Sequence, residues 1–230
     1  MVLLEIRKAV LNFDIEDKLP TSYGHKLRGF FANNYEHVLF HHHKEDGSLR
    51  YKYPLIQYKI IDQKPVIISL ETGCDVVINN FLDIDKLKLN NKVYNQPTGR
   101  IKTAKINLKV IEDSKIPPFL YTFITPWLGL NQSNYKKYKN VKTNKEKSTV
   151  KFLSRILIGN ILAFAKGIDW WIEDEVVVIP ELKEIEVQFK GNSMVGFIGK
   201  FYSNVYMPEL IGLGKSSSRG FGTIKRKSIT

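Results

Sequence analysis

The sequence predicts an α+β protein built from two consecutive β-α-β-β-α-β units. Three observations lead there. The first half alternates β-branched runs with helix-periodic runs in that order, the pair Pro117-Pro118 breaks the chain near its middle, and a second series of strands surrounds one strong helix in the second half. This order is the ferredoxin-like arrangement, which RNA-recognition folds also use. A chain of 230 residues accommodates two such units of roughly 100 residues each. The predicted division is residues 1–115 and residues 116–230, because Pro117 and Pro118 end a strand and stiffen a linker.

In chain order, residues 2–13 are rich in Val, Leu and Ile and read as a half-buried strand. Thr21 or Ser22 then caps a helix to about Asn33, with Tyr23, Leu27, Phe30 and Phe31 near one face and His25, Lys26 and Arg28 off it. A strand over 38–43 runs into an Asp46-Gly47 turn, and residues 51–61 leave that turn as its partner. Residues 65–70 make a third strand and 71–83 a helix, followed by a hairpin of 87–94 with 100–111.

Beyond the prolines, 119–124 is a strand. The Lys/Asn/Tyr-rich stretch after it has too little apolar character for a packed element and reads as a loop that orders on binding. The helix over 148–165 carries Phe152, Ile156, Ile161 and Phe164 at packing intervals. Strands follow at 170–180, 185–189 and 194–202, then a short helix after Pro208 and a last strand at 221–226.

Charge narrows the function. Lys and Arg number 35 against 23 Asp and Glu, a net charge of +12. The excess is clustered: seven lysines and only Glu146 lie between Asn131 and Lys151, and five cations with no acid lie between Lys215 and Lys227. Such clusters attract a polyanion. A single cysteine, Cys74, excludes a disulfide framework and a cysteine zinc site. Glu5 and Arg7 interrupt the first apolar run, so no secretory signal is expected. Arg155, Asn160 and Lys166 likewise break the longest apolar stretch. The expected location is cytoplasmic, with no membrane partner.

The most specific motif is Gly212-Leu213-Gly214-Lys215-Ser216-Ser217-Ser218-Arg219-Gly220-Phe221-Gly222. Glycine lets backbone N–H groups approach an anion, serine adds donors, and Lys215 and Arg219 add charge. The segment reads as a phosphate cradle. It is not a nucleotide-binding P-loop, because Glu209 stands where that motif needs its first glycine. Lys136 and Lys137 are further candidates for the RNA backbone. Tyr135 and Tyr138, set among lysines, are candidates for base stacking, whereas Phe152, Phe164, Trp170 and Phe189 read as core and Trp127 stays ambiguous.

Four of the five histidines fall between His37 and His43. On a strand His41 and His43 share one side and His42 takes the other. Two imidazoles suit general acid–base chemistry near neutral pH. RNA carries its own nucleophile, the 2′-hydroxyl, so His41 and His43 are candidate base and acid, with Lys26 or Lys52 stabilising charge on the phosphorane. Adjacent histidines lack the helical spacing of a zinc protease, and no metal or other cofactor is expected.

The spacing Gly212, Leu213, Gly214, five residues, Gly220-Phe221-Gly222 resembles the C-terminal glycine-rich motif of the Cas-six family of CRISPR repeat-processing endoribonucleases. The stretch from Leu39-Phe40-His41-His42-His43 to Tyr51-Lys52-Tyr53-Pro54-Leu55-Ile56-Gln57-Tyr58-Lys59 is similar to the first domain of an archaeal-type branch of that family. The resemblance implies two ferredoxin-like domains and an endoribonuclease that cuts repeat RNA within a CRISPR precursor transcript, as part of antiviral defence. It implies the paired histidines as the cutting residues, helped by a tyrosine, best matched by Tyr51 with Tyr53 as the other choice, and by a lysine. His42 remains an alternative partner. The products would carry 5′-hydroxyl and 2′,3′-cyclic phosphate ends. Gly212, Gly214, Lys215, Ser216, Ser217, Ser218, Arg219, Gly220 and Phe221 would hold RNA. Partners implied are the precursor RNA, subunits of the effector complex and a second copy of the chain. The other reading is a non-catalytic RNA-binding subunit of such a complex, since related subunits share glycine-rich loops.

Overall fold

Alternation along β1 (Leu4–Asp14) buries Ala9, Leu11 and Phe13 on one side, and helix periodicity in α1 (Gly24–Asn34) turns Leu27 and Phe31 toward the same core. The computed structural model describes residues 3–35, 39, 52–81, 83–112, 117–144, 148–189 and 191–228. Two compact units emerge: an N-terminal unit of residues 5–107 with 218–220, and a C-terminal unit of 1–4, 108–217 and 221–230.

In the N-terminal unit β2 (Ile56–Ile61) pairs with β3 (Lys64–Leu70) through Asp62-Gln63, both at positive φ (49° and 65°). Positive φ at both central residues gives the turn whose twist matches that of the strands. Helix α2 (Thr72–Phe81) follows, then a ribbon of β4 (Lys86–Leu89) with β5 (Lys92–Asn95), then β6 (Thr98–Val110). The sheet order β6-β1-β3-β2 is ferredoxin-like. Leu11, Phe13, Leu27, Phe31, Ile56, Tyr58 and Ile67 form its core. One expectation is corrected: 87–94 does not pair with 100–111. Asn90, at φ 61°, closes the ribbon early, which leaves β6 to join the main sheet beside β1. Regular pairing of β2 begins at Ile56, just past Pro54, rather than at 51. The strand expected at 38–43 lies, but for Leu39, outside the described residues.

The C-terminal unit holds β7 (Phe119–Trp127), α3 (Gln132–Thr143), α4 (Thr149–Gly167), β8 (Val178–Phe189), β9 (Asn192–Ser203), β10 (Val205–Tyr206) and β11 (Ile224–Lys227). Its order, β11-β7-β9-β8, is ferredoxin-like again, and β10 pairs with the last residues of β6. The expected loop after β7 is in fact the helix α3. Asn131 caps it, accepting from the Asn134 N–H at 2.8 Å, and Tyr138 anchors it edge-on against Phe197. Of the strand expected at 170–180 only 178–180 forms, and it continues through 185–189 as one strand, β8, since every residue from Val178 to Phe189 finds a partner on β9. No α-helix forms after Pro208, only one 3-10 turn at Ser217–Arg219. Glu209-Leu210 is a turn with Leu210 at φ 68°, and the glycine-rich run occupies the place of the second ferredoxin-like helix. Among the described residues no helix is long and apolar enough to cross a membrane.

Candidate nucleic-acid interface

The glycine-rich segment is a tightly bonded ribbon. Leu213 N–H donates to Gly222, Gly222 to Pro126 and Lys215 to Leu128, while Gly212 bridges Thr223. Ile211 and Leu213 are wholly buried beneath it. At Gly222, φ is +61° and an added Cβ would lie 2.0 Å from the Leu213 carbonyl oxygen, so only glycine fits. Of the residues expected to hold RNA, Lys215 is exposed; Gly214, Ser216, Ser218, Arg219 and Phe221 are half-buried; and Gly212, Ser217 and Gly220 are buried. The Ser217 side chain sits under Gly212, where a Cβ would meet it at 2.8 Å. Phe221 packs edge-on against Phe189, centroids 5.4 Å apart.

Residues 218–220 belong to the N-terminal unit, and Gly24 is the reason they fit. A Cβ there would stand 2.6 Å from the Arg219 carbonyl oxygen and 3.0 Å from that of Tyr58. One turn along α1 lies Arg28. Burial first, and then the neighbouring Arg219, pull the Arg28 guanidinium below its ordinary pKa; burial does the same to Arg219. The Tyr58 phenol, fully buried and adjoining Arg28, is pushed up by burial and has no hydrogen-bond partner among the described residues. Two half-buried like charges beside a buried phenol make a setting where an anion is stabilised.

Lys26 is half-buried on α1, its Nζ 4.0 Å from the centroid of the Tyr23 ring. His25 is exposed, its Nδ1 2.5 Å from the Ser22 carbonyl oxygen. Lys52 is exposed, and the Tyr53 hydroxyl accepts from Gln57 at 2.8 Å, with burial raising its pKa. His41, His42, His43 and Tyr51 lie outside the described residues.

On α3, Lys136 and Lys137 are exposed, and Lys139 Nζ sits 4.6 Å from the Tyr135 ring centroid. Tyr138 is not the stacking platform expected of it: it is buried, and its hydroxyl donates to Glu184 at 2.8 Å. Trp127 is core as well, stacked on Phe123 and donating to Asn160 at 2.9 Å. Phe164 and Trp170 are buried as expected. Arg28 and Arg155 escaped the sequence reading as site residues. The signal for Arg28 was its place four residues after Gly24, on the same side of the helix.

The sequence profile of the Cas6b N-terminal domain matches residues 4–107, and that of the Cas6b C-terminal domain matches residues 114–227. A solved structure described as Cas6b is 34% identical, with a TM-score of 0.85 over 96% of this chain and 99% of that one. A second, described as the CRISPR RNA processing endoribonuclease Cas6b, is 33% identical, with a TM-score of 0.74 over 97% and 100%. An uncharacterized protein of Methanocaldococcus jannaschii is 34% identical over 146 residues, which is 63% of this chain and 95% of that protein. At 10% identity, a type IV Cas6 crRNA endonuclease shares the fold, with a TM-score of 0.59 over 97% and 100%.

Proposed function

The chain belongs to the Cas6b family, and we propose on that premise that it is an endoribonuclease which cuts CRISPR repeat RNA in the precursor transcript. The observation that carries the reading is the electrostatic pair Arg28 and Arg219, half-buried beside Tyr58 where the glycine-rich segment meets α1. Two guanidiniums brought to one place suit a phosphodiester, whose oxygens accept charge-assisted hydrogen bonds from them.

In this reading the first half, 1–115, cuts, and the second half, 116–230, holds the RNA backbone together with Arg28. His41 or His43 takes the proton of the 2′-hydroxyl, and the new O2′–P bond forms as the P–O5′ bond breaks. The other imidazole gives its proton to the departing 5′-oxygen, and Lys26 with Tyr51 stabilises charge on the phosphorane. The ends are a 2′,3′-cyclic phosphate and a 5′-hydroxyl, and no step calls for a divalent ion. Gly214, Lys215, Ser216, Ser218 and Arg219 line the RNA's path, joined by Lys136 and Lys137, while Gly212, Ser217 and Gly220 shape the backbone beneath. Assembly with effector subunits or a second copy belongs to the same reading.

The test is repeat RNA mixed with the wild-type chain, His41→Ala and His43→Ala. Each histidine variant is expected to bind as the wild type does and to cut at least about a hundredfold more slowly. Wild-type binding without any cutting would favour the RNA-binding subunit instead.

A further inference from the structure

Two cavities of the C-terminal unit adjoin each other along Asn131 and Lys215, and their linings differ in charge. The first, about 620 Å³, lies where α3 faces the outer half of the β8–β9 hairpin; Tyr135, Glu184, Glu186 and Ser193 line it, as do Lys142 and Lys215. The second, about 700 Å³, lies where α3 faces α4; Lys137, Arg155 and Lys215 line it, with no acid among its described residues.

The first cavity presents carboxylates at fixed places. Glu184 accepts from both Tyr138 and Lys142 at 2.8 Å, and Lys142 foremost holds its carboxyl below the usual range. Glu186 accepts from Ser193 and from Gln188 through one oxygen. Register explains the grouping: Glu184 opposes Phe197 and Glu186 opposes Val195, so both acids stand on the face that α3 covers. Its two carboxylates offset the charge of Lys142 and Lys215, so a phosphate gains less there than beside cations alone. A nucleobase suits it better, because its exocyclic amine donates to a carboxylate and its ring stacks on an aromatic side chain. The second cavity has the opposite character, three cations suited to a phosphate.

We propose that these paired cavities form a single-nucleotide subsite, with the phosphate against Lys137, Arg155 and Lys215 and an amino-bearing base against Tyr135 and Glu186. The subsite would read one position of the RNA. It rests on the proposal that the chain binds repeat RNA, and it adds Arg155 and Glu186 to the residues that do so.

The experiment uses the repeat oligonucleotide 2′-O-methylated throughout, so that it binds and cannot be cut, with one abasic nucleotide placed at each position in turn. For the wild-type chain, one position is expected to lose about fivefold or more in affinity. In Tyr135→Ala and Glu186→Ala that penalty disappears while the penalties elsewhere remain. At the same position uridine for cytidine, or purine riboside for adenosine, reproduces most of the loss in the wild type only. Arg155→Ala weakens every oligonucleotide alike. Abasic penalties that are the same in wild type and variants would overturn the subsite while leaving RNA binding intact. A wild-type chain that binds no repeat oligonucleotide at all would overturn the subsite together with the proposal beneath it.

Discussion

Replacing Arg28 by Met separates what the guanidinium does for the fold from what it does for RNA. Met keeps most of the length of the side chain and its packing on α1 while removing the charge. For stability, the loss of packing and of polar contacts is set against relief of burial and of repulsion from Arg219. A half-buried surface position of this kind changes stability by about 1 kcal/mol or less, so the thermal midpoint should move by no more than about 4 °C. For RNA, one charge-assisted hydrogen bond to a phosphate is worth about 1.5–3 kcal/mol, a factor of about 10–150 in affinity. The salt dependence gives the sharper reading. Losing one phosphate contact to a single strand should flatten the slope of log K against log salt by about 0.7. Fluorescence anisotropy with labelled repeat RNA at four salt concentrations measures both quantities, and Arg28→Lys should keep the slope while losing part of the affinity. Unchanged affinity with an unchanged slope would refute the anion site at α1.

Other outcomes follow from the same geometry. Gly222→Ala forces a Cβ to within 2.0 Å of the Leu213 carbonyl oxygen at φ +61°, so unfolding by urea should show a loss of about 2–4 kcal/mol and RNA affinity should fall with it. Asn160→Ala leaves the buried Trp127 indole N–H without its acceptor, and should cost about 1–3 kcal/mol by the same measurement with no change in the salt slope. Lys59 is fully buried, and burial, then Lys8, pull its ammonium down to about 7. The unfolded chain holds this proton up to about pH 10.4, so between pH 7 and pH 10 it binds more protons than the folded chain and stability should rise with pH. Below pH 7 the contribution levels off. Thermal melts of Lys59→Met should lack that rise, and an identical pH profile in wild type and variant would refute the assignment.

Much of this architecture is legible because periodicity is strong where elements are buried on one side. β1, α1 and α4 declare themselves through Leu11 and Phe13, Leu27 and Phe31, and Ile161 and Phe164. The misread elements are those whose partners lie far away in sequence. Helix α3 carries mainly Lys, Asn and Tyr, and contacts with Phe152, Glu184 and Phe197 make Tyr138 a core residue. The helix expected after Pro208 gives way because the ladder to β11 and to Pro126 and Leu128 takes the backbone groups of the glycine-rich run. At the interface, glycines and cations close in sequence were visible as a motif. Arg28 and Arg155 were not, because what makes them notable is the distant chain folded against them. Composition cannot show that Ser217 points inward while Ser216 and Ser218 do not.

The most direct test of the central claim is cleavage of end-labelled repeat RNA in excess EDTA, beside the same RNA carrying a single 2′-deoxy nucleotide at the cut position. Attack by the 2′-hydroxyl under general acid–base catalysis predicts undiminished cutting in EDTA, a 2′,3′-cyclic phosphate on the upstream product, and no cutting at the deoxy position. Cutting that stops in EDTA, or that continues at the deoxy position, would contradict it.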